Sequence, residues 1–206
     1  YVQDTEYESY APDPDILRYV KKANIKIYRT EARQDPLNTK TGELKRWAEA
    51  VFKDADIKQN NKGNRIAAED PTLVRDFLFF LLFTGLRRGN AELLEIKERR
   101  GAKGFIKGAD RFFIDVTKSG KPLDVPLSSI ARAIVERRQN RSKNKYLFYS
   151  DKNDSGHLSN PSFSIKRIKE MSKTQFHCHK LRSTYLNIAR QVVPDFVYKA
   201  FVGHTI

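Results

Sequence analysis

Only one cysteine, Cys178, occurs among the 206 residues. No internal disulfide can form, which suits a reducing cytoplasm, and a structural zinc site would lack its usual thiolates. Long hydrophobic runs are also missing: the longest, residues 77–83, falls far short of the ~20 residues a membrane-spanning helix needs. The opening Tyr1-Val2-Gln3-Asp4 has neither the basic start nor the apolar stretch of a signal peptide. Acid is scarce relative to base, with 25 Asp and Glu against 39 Lys and Arg and a net charge of +14. That balance favours a polyanionic partner, nucleic acid first. Internal repeats and low-complexity tracts are absent too, so one domain with a leader accounts for the length.

Residues 1–35 run acidic and then basic around Pro12 and Pro14, and read as a linker or leader that feeds a domain over 36–206. After Gly42, Leu44, Trp47, Ala48, Val51 and Phe52 recur at helical spacing and predict one apolar face. Residues 60–64 read as a turn. Asp70-Pro71 then predicts an N-cap followed by a proline at the first helical position, opening a helix that is apolar nearly all round over 73–83. Gly85 stops it in a left-handed turn. A further helix is expected from Arg87-Arg88 through Leu93, Leu94 and Ile96. Three short strands follow at 105–106, 112–116 and 123–127, and then helices at 128–138, 161–171, 181–192 and 195–202. The sum is a mainly helical α+β fold with a small three-stranded antiparallel sheet.

Chemistry concentrates in four segments: Thr84-Gly85-Leu86-Arg87-Arg88, Thr117-Lys118-Ser119-Gly120, His179-Lys180-Leu181-Arg182 and Gly203-His204. Arg87 carries a rigid guanidinium fork able to grip two phosphate oxygens at once, which lysine does not copy. Lys118, in the expected turn between the second and third strands, has a flexible stem that carries an ammonium to an oxygen, and Lys121 in the same turn is its rival. His179 and Arg182 stand three apart, so a helix aims both at one oxyanion. His177-Cys178-His179 offers poor geometry for a tetrahedral metal site, and no metal is expected. Tyr185 reads as core, and His157 as a turn residue.

These segments, in this order, resemble the catalytic domain of the tyrosine recombinases, the phage integrase family. The resemblance covers residues 36–206 and implies an integrase-type fold and a DNA strand-transferase without cofactor, which cleaves and rejoins duplex DNA through a 3'-phosphotyrosyl link. It assigns catalysis to Arg87, Lys118, His179, Arg182 and His204. DNA contacts fall to Arg88, Lys97, Arg99, Arg100, Lys121, Lys166, Arg167 and Lys169. Two departures stand out. Asn90 occupies a position usually acidic in the family, where it would still accept a hydrogen bond from Arg87, while Glu92 lies two positions too late. The nucleophilic tyrosine, which follows the Gly-His pair in the family, is expected beyond Ile206, making the chain an inactive, monomeric fragment of a bacterial, cytoplasmic enzyme that is a tetramer on DNA. The family's uses include phage or prophage integration and excision; a type IB topoisomerase and a catalytically silent DNA-binding protein are the alternatives.

Overall fold

The computed structural model describes residues 36–60, 70–108, 110–116, 120, 122–194 and 197. Helix α1 spans Glu43–Asn60. Its start is stabilised from both sides: Asn38 Oδ1 accepts from the amides of Lys40 and Thr41, and Glu43 accepts from the Asn38 amide at 2.7 Å. Leu44, Trp47, Ala50 and Val51 form the buried face. Trp47 meets Phe79 and Phe176 edge-on, at 5.4 and 5.8 Å between ring centroids. Phe52, expected on that face, is instead 51% exposed, because it sits at its margin with Arg75 over its ring.

Helix α2, Leu73–Thr84, runs through the core with every residue but Arg75 buried. It begins two residues later than the Asp70-Pro71 signal implies, with Thr72 at the N-cap. The Asp70 carboxylate is spent on a local turn, accepting from the Thr72 amide and hydroxyl at 2.9 and 2.7 Å. Gly85 ends the helix at φ 62°, its amide bonded to the Leu81 carbonyl. No other residue type fits there easily: a Cβ would lie 2.4 Å from the Tyr185 ring.

The next helix, α3, is only Arg88–Glu92. The expected continuation through Leu94 and Ile96 fails because Glu95 is drawn into extended pairing, its amide bonding the Gly104 carbonyl and its carbonyl accepting from Ile106. Strands β1 (Gly104–Lys107), β2 (Arg111–Ile114) and β3 (Leu123–Pro126) form an antiparallel sheet in the order β1-β2-β3. Phe112 and Ile114 face the core, while Phe105 and Phe113 pair across strands with rings 5.2 Å apart. Strand β2 ends before Asp115 and Val116, and Val116 is exposed.

Helices α4 (Ser129–Arg141), α5 (Ser162–Ser172) and α6 (Cys178–Val192) complete the described fold. Ser128 caps α4, its Oγ accepting from the Ala131 amide. Helix α6 starts three residues earlier than expected because His177 caps it, Nδ1 accepting from the Lys180 amide at 3.3 Å. Helix α2 packs between α6 and α4, and α1 lies along α5. Asn60, expected to open a turn over 60–64, is instead the last residue of α1; the rest of that turn and, but for the helical Val197, the helix over 195–202 lie outside the described residues. The result is a mainly helical α+β domain with a three-stranded sheet, as the sequence implies.

Candidate active site

The end of α2, one side of α5 and the start of α6 converge on one open cleft of about 500 Å³. Leu86, Arg87 and Arg88 enter from the α2–α3 junction; Ser162, Lys166 and Lys169 come from α5; His177, His179 and Arg182 come from α6. Three of the five expected catalytic residues therefore share a cavity, although Arg87 and Arg182 are 95 positions apart. Lys118, Lys121 and His204 lie outside the described residues.

Arg182 is 3% exposed, and its guanidinium donates to the Gly85 carbonyl, tying α6 to the turn that aims Arg87. Burial, and next the charge of Arg87, bring its pKa down to about 10. The group stays cationic at neutral pH, but its charge is held beside a like charge, which an anion between them would relieve. His179 titrates below the ordinary imidazole range, through burial first and then the fields of Arg182, His177 and Arg87. His177 is lowered too, by burial, Lys169 and Lys180. Both imidazoles are thus poised to be neutral near pH 7 and to gain charge when an anion arrives.

An acid beside the cleft is tied down. Glu92 stands 3.6 Å from Arg88 Nε and accepts from the Asn160 amide at 3.0 Å, while Arg88 donates to Asn160 Oδ1 at 2.9 Å. Glu92, set aside in the sequence as too late to serve Arg87, serves Arg88 instead, a contact the one-turn Arg88–Glu92 spacing signals, while Asn160 carried no such signal. Asn90 does not serve Arg87: its side chain lines a separate cavity of about 410 Å³ with Leu93, Lys103, Asp115 and Val116. Among the described residues, no ion pair engages Arg87.

The expected DNA contacts divide. Arg88, Lys166 and Lys169 line the cleft. Arg167 turns away to bond Asp54 of α1, and Arg99 bonds Glu95, four residues earlier. Lys97 and Arg100 are exposed. Tyr185 is buried against Gly85, and desolvation pushes its hydroxyl up to about 12 despite Arg182 nearby. His157 packs against Tyr146 and contacts the Leu158 carbonyl, away from the cleft. Among the described residues no group of three potential metal ligands occurs, and no helix is long and apolar enough to cross a membrane.

Solved structures share this architecture. The site-specific recombinase XerH bound to its difH substrate matches with a TM-score of 0.57 at 20% identity, over 92% of this chain and 55% of that one. A lambda integrase dimer on a COC' core site gives 0.60 at 15% identity, over 86% and 47%. The Tn1549 transposon integrase with transposon right-end DNA gives 0.53 at 14%, over 92% and 67%. This chain spans about half the length of the first two structures. No curated protein sequence matches it. The model of the phage integrase family matches residues 54–205, about three quarters of the chain and all three elements that build the cleft. A fold shared with solved recombinases and a family match across the cleft lead to one conclusion: the chain belongs to the phage integrase family, the tyrosine recombinases.

Proposed function

We propose that this chain supplies the cationic half of a site-specific DNA recombinase, which cleaves and rejoins a strand through a 3'-phosphotyrosyl intermediate. The observation that carries the proposal is the convergence of Arg87, His179 and Arg182 on one cleft that no acid lines among the described residues. A phosphodiester under attack gathers negative charge on its equatorial oxygens, and fixed cations stabilise that state more than the ground state. Arg87 and Arg182, joined by His204, furnish this field. Lys118, or Lys121 in its stead, protonates the departing 5'-oxygen, and neutral His179 helps take the proton of the attacking hydroxyl.

The family resemblance puts the attacking tyrosine after the Gly203-His204 pair. Tyr185 does not fit the role, because its hydroxyl is buried and its raised pKa opposes the phenolate. The active form would be a tetramer on DNA. Prophage integration or excision in a bacterial cytoplasm is the setting the reading favours.

Two measurements test this. Binding of the chain to a random-sequence duplex should weaken steeply with salt, log affinity falling by about 0.9 per phosphate neutralised; a flat response overturns duplex binding. The protein extended by the coding sequence after Ile206 should form an SDS-stable adduct with nicked duplex DNA carrying its site. Relaxation of supercoiled plasmid without strand exchange would point to the topoisomerase alternative instead.

A further inference from the structure

Helix α5 carries an aromatic ring on the outside of the protein, beside the basic cleft. Phe163 is 72% exposed, more than any other large hydrophobic among the described residues. Nothing in the core requires it. Yet the ring is not loose: the Arg167 guanidinium lies 5.4 Å from its centroid, and Arg167 is itself anchored to Asp54, which is 2% exposed on α1. The anchored cation holds the aromatic face in place. Along the helix Phe163 follows Ser162 and precedes Lys166 by one turn, and both of those line the cleft.

Charge decides what can occupy this rim. Arg87, Arg88, Lys166, Lys169 and Arg182 make the cleft strongly cationic, so a polyanion fits and an apolar peptide does not. A duplex laid across these cations would bring a groove to the exposed N-terminal end of α5, and the one apolar group on a major-groove base edge is the thymine C5-methyl. We propose that Phe163 is a specificity-determining residue, which selects thymine at one position of the DNA site by contact with that methyl. The assignment rests on the duplex-binding function proposed above.

The test selects tight binders from a pool of random-sequence duplexes, with the wild-type chain, Phe163→Ala and Phe163→Leu in parallel. Wild type should enrich thymine at one or two adjacent positions. Phe163→Ala should lose that enrichment and keep its salt-dependent affinity for the unselected pool, while Phe163→Leu should keep part of the enrichment. Remaking the winning duplex with deoxyuridine at the selected position should weaken wild type about fourfold, the factor for one buried methyl, and leave Phe163→Ala unaffected. Because the residue is exposed, all three proteins should melt together. Equal enrichment by wild type and Phe163→Ala overturns the proposal, as does an unchanged wild-type affinity for the deoxyuridine duplex. Failure of wild type to bind the pool at all overturns the DNA function itself.

Discussion

The Arg182 guanidinium donates to the carbonyl oxygen of Gly85, 97 residues earlier in the chain. One side chain thereby belongs both to the cleft and to the frame that shapes it. Arg87 is different, being half-buried and without an ion pair among the described residues.

The two arginines should separate on mutation. Arg87→Ala should leave the thermal unfolding midpoint within about 1 °C of wild type while lowering duplex affinity and, in the extended protein, abolishing adduct formation. Arg87→Lys should restore little, since a point charge lacks the bidentate fork. Arg182→Ala should lower both function and the midpoint. Equal melting of the two variants would remove the structural role given to Arg182.

Gly85→Ala should be disproportionately destabilising. The residue sits at φ 62° with the Tyr185 ring where a Cβ would go. Strain and overlap together should cost at least about 2 kcal/mol, a drop of about 4–8 °C for a chain of this size, read by calorimetry. Pairing it with Tyr185→Leu should recover part of the loss, and no recovery would mean that φ alone sets the penalty.

Asp76→Ala should rank among the most damaging changes away from the cleft. Asp76 is 1% exposed, and Arg138, 2% exposed, stands 2.9 Å from it; Arg137 bonds the same carboxylate. Removing the acid leaves the buried Arg138 guanidinium dependent on Asp70 for its countercharge, 2.8 Å away, at a cost of about 3 kcal/mol in chemical denaturation. Replacing Arg138 with Met should cost as much by the reverse logic.

Acid should weaken the fold through Asp70. Burial alone would raise its carboxyl, but hydrogen bonds from Thr72 and the charges of Arg138 and Arg141 outweigh it and bring the pKa down to about 2. A depressed folded-state pKa contributes stability that is full above the unfolded value of about 4 and is lost as pH falls to about 2. Asp70→Asn should start less stable and show a shallower decline across that window in pH-dependent melting.

Duplex affinity should rise as pH falls from 8 to 6. His177 and His179 both titrate low in the free protein, and a bound phosphate favours their charged forms, so binding takes up protons. Without ligand the sign reverses: the unfolded chain protonates first, so their contribution to stability is lost as pH drops below about 6.5. The double variant His177→Asn, His179→Gln should flatten the affinity profile, asparagine keeping the cap on α6. An identical pH slope would remove the imidazoles from the anion site.

Much of this fold is legible wherever one local rule dominates. The all-round apolar stretch of α2 was readable as core, and Gly85 as its stop, because burial and left-handed geometry leave their marks in adjacent residues. The departures share another cause. Leu94 and Ile96 continue a helical pattern, yet the chain straightens at Glu95 because an edge of the sheet, brought there by later sequence, offers better backbone partners. Arg167 looks like a free phosphate contact until α1 brings Asp54 to it from 113 residues away. In the site, residue types and order announced Arg87, His179 and Arg182, whereas the Arg88–Glu92–Asn160 tie needs a loop 68 positions off and leaves only its helical half in the sequence.

Helix α2 also bears on how the chain can be produced. Residues 77–83 are uncharged, aromatic-rich and buried only once α4 and α6 have closed over them. Before that closure they form the chain's most adhesive segment, guarded upstream by Arg75 and Asp76 and downstream by Arg87 and Arg88, charges of the kind that keep such stretches apart during folding. The arginines at the mouth of the cleft would then work earlier in the protein's life as well, as gatekeepers against self-association. Neutralising both at once should lower the refolding yield in a concentration-dependent way even where the folded state is intact.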